Sequence, residues 1–208
     1  NIFFEKNHFH RKLNLKKSPS LEAQVASISD DIAYNNHDLE DGLRANLFTL
    51  NDLETIPFIR VYVKKHKSKL KKYRKEIIIN HIVREMINAM VSDVVKNTNY
   101  NLKITKPKKI DDIYNCKYQL VNFSNKMKVN VEYVRFFLKE KMYKNSSVIK
   151  NNYKSEKIIR FLFKRLLNHN TKLLRRDLIK KSSRERSASD YISGMTDRYA
   201  INLYKTLK

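Results

Sequence analysis

Three features of this 208-residue chain predict an all-α protein. Apolar residues recur every three or four positions through several long stretches, strand-like alternation is nearly absent, and only two glycines and three prolines punctuate the sequence. The length suits one compact domain, or one lobe of something larger, and is enough to bury a core.

Residues 1–17 alternate aromatic and basic side chains without a clear period and read as the trailing end of a preceding element. Leu21, Val25, Ile28, Ile32, Leu39 and Leu43 then fall on one stripe at 100° per residue, which predicts a helix to about Gly42 with that stripe facing a core. Ser18 with Pro19 after it, or Ser20, supplies an N-cap, and Glu22 in the first turn suits the positive end of the helix dipole. Leu43 to Val63 reads as short helical pieces interrupted at Pro57. The densest basic run, Lys64 to Lys75, follows as a solvated helix or linker.

Ile79, Ile82, Val83, Met86, Ile87, Met90 and Val94 keep a helical period and predict a long core helix over 76–97. Asn99 to Asn115, with Pro107, reads as loop and turn, and Phe123 to Met127 as a short non-helical contact. Val129 to Tyr143 is the next helix, with Val134, Phe137, Leu138 and Met142 inward. Another carries Ile158, Ile159, Leu162, Phe163, Leu166 and Leu167. Ser182 to Ala188 is polar and reads as a loop before a closing helix from about Asp190, on which Tyr191, Met195 and Tyr199 stack at i, i+4, i+8.

Composition closes several function classes. Two glycines cannot build Gly-rich phosphate loops, dinucleotide-binding turns or nucleophile elbows, so kinase, P-loop and dehydrogenase readings fall away. A single cysteine, Cys116, allows neither an internal disulfide nor a cysteine-based zinc site and fits a reducing cytoplasm. No apolar run approaches the roughly 20 residues of a membrane span, and the start does not resemble a signal peptide. The formal charge of +23 comes more from Lys than from Arg, a bias that an AT-rich coding sequence also produces. A surface this basic still draws phosphates at long range and leaves weak nucleic-acid binding open.

Against that charge the stretch Ser29-Asp30-Asp31-Ile32-Ala33-Tyr34-Asn35-Asn36-His37-Asp38-Leu39-Glu40-Asp41-Gly42 is an acidic island, and from Ser18 to Leu43 there is no Lys or Arg. Its carboxylates are not neutralised by neighbours in sequence, as a cation site requires. Asp30, Tyr34, His37, Asp38 and Asp41 fall opposite the apolar stripe, so one helix carries a core face and a candidate chemical face. A simply solvated surface is the alternative reading of that face.

Two blocks carry a likeness to a known family: Ser20-Leu21-Glu22-Ala23-Gln24-Val25 running into Asp30 to Arg44, and Asp190-Tyr191-Ile192-Ser193-Gly194-Met195-Thr196-Asp197-Arg198-Tyr199-Ala200. With supporting stretches at Ile82 to Val94 and at Phe137 to Tyr143, the chain from about Ser20 onward resembles the C-terminal half of the deoxyguanosine triphosphate triphosphohydrolase-like proteins of the HD-domain superfamily. The resemblance implies residues 1–63 as the C-terminal remnant of the HD domain and 64–208 as its helical associated region. It implies hydrolysis of a deoxynucleoside triphosphate to deoxynucleoside and triphosphate with a divalent metal, Mg²⁺ or Mn²⁺ foremost, in a protein that forms a homo-oligomer when full length.

On the matching positions the resemblance makes Asp30 the last metal ligand. It turns Tyr34 and Asp38 toward the nucleotide, Asp38 accepting from the sugar hydroxyl and Tyr34 lining the sugar or phosphate side. His37 is a further candidate, for a phosphate or for proton transfer, with a structural hydrogen bond beside Asp41 as the alternative. Asp31 points to neither face and is read as a structural or supporting residue. The earlier His and His-Asp ligands of the family are absent from this sequence, and His8-Phe9-His10, with no adjacent Asp, does not replace them. The chain is therefore expected to be the C-terminal part of a longer protein and inactive alone. Arg44, Arg84 and Arg198 are candidate phosphate or ion-pair residues, each read as an interhelical salt bridge ahead of a phosphate contact, and Tyr191, Met195 and Tyr199 are read as packing rather than a nucleobase platform. The competing reading is a basic, all-helical nucleic-acid-binding or interaction module without catalysis.

Overall fold

A computed structural model describes residues 17–168 and 183–208, and among these every regular element is helical. The expectations for residues 1–16, His8-Phe9-His10 included, and for Ser182 lie outside the described residues.

Helix α1, Leu21–Arg44, begins at Ser20, whose hydroxyl accepts from the Ala23 amide at 3.3 Å, and it carries Glu22 in its first turn and Arg44 in its last. A short helix, α2 (Leu50–Leu53), is closed by a reciprocal Thr49–Asp52 capping box. Pro57 does not interrupt the next segment. It stands at the first position of α3, Pro57–Lys67, where its missing N–H costs nothing. The basic run closes α3 and continues as a 3-10 turn, Ser68–Lys71.

Helix α4, Lys75–Thr105, is longer than its apolar period. The polar residues past position 97 form a helix face that holds down a loop: Asn97 donates to the carbonyls of Asn122 and Phe123 at 2.9 and 3.3 Å, and Asn101 to that of Leu120 at 2.8 Å. The helix ends at Lys106, which takes a left-handed conformation (φ 45°) just before Pro107. Instead of a continuous loop from 99 to 115, the chain makes the end of α4 and a short α5, Ile110–Tyr114.

Phe123 is non-helical, as expected, but α6 starts early, at Asn125, because Asp93 of α4 accepts from the Ser124 amide at 2.8 Å and hydroxyl at 2.7 Å while Ser124 caps the new helix. After Leu138 the ladder widens into a π-helical turn, Lys139–Tyr143. The chain divides into two compact units at Met142/Tyr143. The 63/64 division expected from the resemblance concerns family regions rather than packing, since residue 63 lies inside α3.

In the first unit α1 lies along α4 and touches α6. One apolar cluster joins Leu39, Leu43, Phe48, Ile79, Ile82 and Val134 among others, and a second joins Ile32, Met90, Val94, Val121, Phe123 and Val131. The predicted stripe of α1 is inward except at Val25, which is 49% exposed beside Val91 and Val95. In the second unit α7 (Ser146–Leu167), α8 (Arg184–Ser193) and α9 (Asp197–Leu207) pack on Leu162, Leu166 and Ala188. The loop expected through Ala188 is helical from Arg184: Ser183 caps it, accepting from the Arg186 amide at 3.2 Å, and Arg186 pairs with Asp190 at 2.9 Å. The single closing helix is two, broken after Ser193 at Gly194 and restarted by the Thr196 cap.

Candidate functional site

The acidic face of α1 exists as a face. Ile32, Leu39 and Leu43 are buried on one side of the helix, while Asp30, Tyr34, His37 and Asp41 are exposed on the other, and Asp38 is half-buried. Asp30, Tyr34 and Asp38 stand one turn apart in a row of about 12 Å at helical rise. His37 points its Nδ1 toward Glu40 Oε2 at 4.0 Å rather than toward Asp41.

Two of the carboxylates acquire cations in space. Arg135 of α6 reaches Asp31 at 3.0 Å, so the residue that sequence placed on neither face ties α1 to α6. Arg44 pairs with Glu40 one turn back at 2.7 Å and donates to Asn80 Oδ1 of α4 at 2.9 Å, an ion pair within α1 together with a bond between helices. Asp30 and Asp41 meet no cation among the described residues. An uncompensated, exposed carboxylate at position 30 is neither sunk in hydrocarbon nor pinned by a lysine.

Sequence reasoning missed the amides that set this helix's rotation. Gln24, Asn35 and Asn36 are all buried. Gln24 donates to the Pro19 carbonyl at 2.9 Å and accepts from the Val121 amide at 3.0 Å. Asn36 donates to the Ile32 carbonyl at 2.8 Å and to Met90 Sδ of α4 at 3.2 Å. The signal was an Asn-Asn doublet in mid-helix, where asparagine is a poor helix former and is kept for a reason other than propensity.

Two clefts adjoin α1, one polar around Asp31, Lys128 and Arg135 and one apolar around Val25, Val91 and Val95, and neither is lined by Asp30, Tyr34 or Asp38. No three His, Cys, Asp or Glu side chains among the described residues converge closely enough to hold a metal ion. Asp30 thus fits a metal only as one ligand among several. The face carries an exposed carboxylate at one end, and one and two turns on a phenol and a second carboxylate that each already interact within the protein.

Residues 121–206 match the phosphohydrolase-associated domain, a stretch that takes in α6, α7, α8 and nearly all of α9. Over 198 residues the chain is 48% identical to a deoxyguanosinetriphosphate triphosphohydrolase-like protein of Pelagibacter ubique (strain HTCC1062), covering 95% of this chain and 53% of that one. Proteins of the same name in Rickettsia typhi (strain ATCC VR-144 / Wilmington) and Rickettsia bellii (strain RML369-C) are 38% and 34% identical over 94% and 100% of this chain and 52% and 55% of their own lengths. The chain belongs to this family of deoxyguanosinetriphosphate triphosphohydrolase-like proteins and spans about half the length of the curated relatives it matches.

Proposed function

We propose that the α1 face forms one wall of a site at which a deoxynucleoside triphosphate is hydrolysed to deoxynucleoside and triphosphate. The observation that carries this reading is the row Asp30, Tyr34, Asp38 on the solvent side of a helix whose other side is fixed in the core. The relatives' shared name gives the reaction class.

Asp30 supplies one carboxylate to a divalent cation, Mg²⁺ or Mn²⁺, with the remaining ligands contributed by His and His-Asp elsewhere in the full-length protein. When bound, such a cation polarises a phosphate oxygen and activates water. Asp38 accepts a hydrogen bond from the sugar hydroxyl, and the Tyr34 hydroxyl donates to the sugar or phosphate side. His37, exposed beside Tyr34 and on the other side of it from Asp38 at 100° per residue, is a donor to phosphate. The full-length protein works as a homo-oligomer in a reducing cytoplasm, the setting that a lone, half-buried Cys116 suits.

The test is Asp30→Ala in the full-length protein, assayed for triphosphate release with added Mg²⁺ or Mn²⁺. Because the side chain is exposed, thermal stability stays at the unmutated value while turnover is abolished. Retained turnover removes Asp30 from the site.

A further inference from the structure

Helix α6 of the first unit is apolar on two sides. Met127, Val131, Val134 and Leu138 face the core, and opposite them Val129, Tyr133 and Phe136 are exposed by 50%, 53% and 66%. Phe136 is the one exposed phenylalanine among the described residues. With Lys126 before them and Glu140 after them, both exposed, these residues succeed one another at spacings of three, four, three and four. That is the seam of a helix that pairs with another helix, and here it runs for about 21 Å.

We infer that this outer face docks on α6 of a second copy of the chain, antiparallel, about a twofold axis at Tyr133. An axis there sets Lys126 opposite the partner's Glu140, Val129 opposite the partner's Phe136, and Tyr133 opposite itself. A twofold contact makes each of these pairings twice, so both ends gain an unlike-charge pair and each large ring meets a small side chain. Parallel pairing would set lysine against lysine and glutamate against glutamate. Complementarity of size and charge about one central residue is what self-pairing requires, and a different surface would need no such relation. The seam is also neutral in sum, which lets two copies of formal charge +23 approach along it. Glu140 already interacts within the protein, and a carboxylate has room for a further donor. The inference rests on the homo-oligomer proposed above and gives it a contact surface. It does not depend on whether Asp30 holds a metal.

The experiment takes the whole chain and the full-length protein in parallel, with native cysteines, Cys116 here, replaced by serine. Under mild oxidation Tyr133→Cys should cross-link to a dimer on a non-reducing gel. Lys126→Cys alone should not, whereas a mixture of Lys126→Cys and Glu140→Cys should. In sedimentation velocity Phe136→Glu should weaken self-association about tenfold or more, because each copy then brings an unpaired carboxylate into the seam. Its urea midpoint should stay at the unmutated value, since the side chain is exposed. Val61→Glu, on an exposed apolar position of α3, is the control and should leave association within about twofold. Cross-linking of Lys126→Cys as readily as Tyr133→Cys overturns the antiparallel seam, and so does an equal loss in the control. Cross-linking in the chain but not in the full-length protein, with a lowered urea midpoint for full-length Phe136→Glu, overturns it in favour of cover by the rest of the same polypeptide. An unmutated full-length protein that sediments as a monomer sinks the homo-oligomer and the seam together. An oligomer that survives Phe136→Glu and gives no Tyr133→Cys cross-link sinks the seam alone.

Discussion

A Cβ at Gly42 would lie 2.3 Å from the ring of Phe48, closer than any real side-chain contact. Gly42 sits in the last turns of α1, and the Phe48 ring closes over it and packs edge to face on Phe137 of α6 with ring centres 4.9 Å apart. The glycine is a matter of space, since its backbone is ordinary helix. Gly42→Ala should therefore destabilise by about 1–2 kcal/mol, overpacking outweighing the roughly 1 kcal/mol by which alanine favours a helix. Urea unfolding checks it, with Phe48→Leu as the second variant. With the ring removed, the same alanine should be neutral or stabilising, and persistence of the loss would mean that Phe48 is not the obstacle.

Gln24 is nearly inaccessible and bridges two backbone groups from opposite ends of its amide, the Pro19 carbonyl and the Val121 N–H. Gln24→Met keeps the volume and leaves both groups without a partner, which costs about 1–3 kcal/mol. The amide of Val121, in the segment between α5 and α6, should also exchange with deuterium faster than in the unsubstituted protein. An unchanged exchange rate at that position would show that the bond to Gln24 is not what protects it.

The Tyr191 and Tyr199 hydroxyls meet at 3.0 Å across the Gly194 break between α8 and α9. The hydrogen bond to Tyr199, then partial burial, pushes the Tyr191 phenol up to about 12. Because the folded state favours the neutral phenol, the stability it contributes is fully present below the ordinary tyrosine value of about 10 and is lost as pH rises through about 12. Besides Tyr62, whose phenol is also pushed up by burial, ultraviolet titration should reveal a late-ionising tyrosine that moves toward the ordinary range in Tyr199→Phe. A titration curve unaltered by that substitution would assign the late phenol elsewhere.

The sequence exposed the helical class and the two faces of α1 because both follow from a single periodicity, apolar for the core and acidic for solvent. It did not expose the last two turns of α4, where Asn97 and Asn101 look like loop residues until the carbonyls of the 120–123 segment are placed beside them. The helix at 184–193 was hidden in the same way, its propensity being supplied by a serine cap and an Arg186–Asp190 pair rather than by an apolar stripe. His66 is the clearest case of tertiary context. It sits in the most basic run of the chain and yet is buried, its Nε2 2.9 Å from Glu85 and its ring stacked on His81. Its spacing from Ile59 and Val63, i, i+4 and i+7, puts it on the buried side of α3, while the lysines beside it face solvent. For the candidate site, the family likeness selected Asp30 over Asp31, and the structure shows only that their surroundings differ: Asp30 is exposed and meets no cation among the described residues, whereas Asp31 is held by Arg135.

Asp30 and Asp31 are adjacent and alike in chemistry, but of the two only Asp31 meets a cation among the described residues, which makes each the other's control. The Asp31–Arg135 pair is about half exposed on both sides, so breaking it with Asp31→Asn or Arg135→Ala should cost no more than about 1 kcal/mol. If its task is to fix the rotation of α1 against α6, either substitution in the full-length protein should raise KM for the deoxynucleotide a few-fold with kcat little changed, because Asp30, Tyr34 and Asp38 all remain on the helix and only its placement loosens. Asp30→Asn should instead remove turnover and leave the urea midpoint where it was. Steady-state kinetics on the three variants, each with its unfolding curve, separate the roles. Equal losses of kcat at positions 30 and 31 would mean that both carboxylates act in the same site, and the two faces drawn here for α1 would have to be rotated by about 100°.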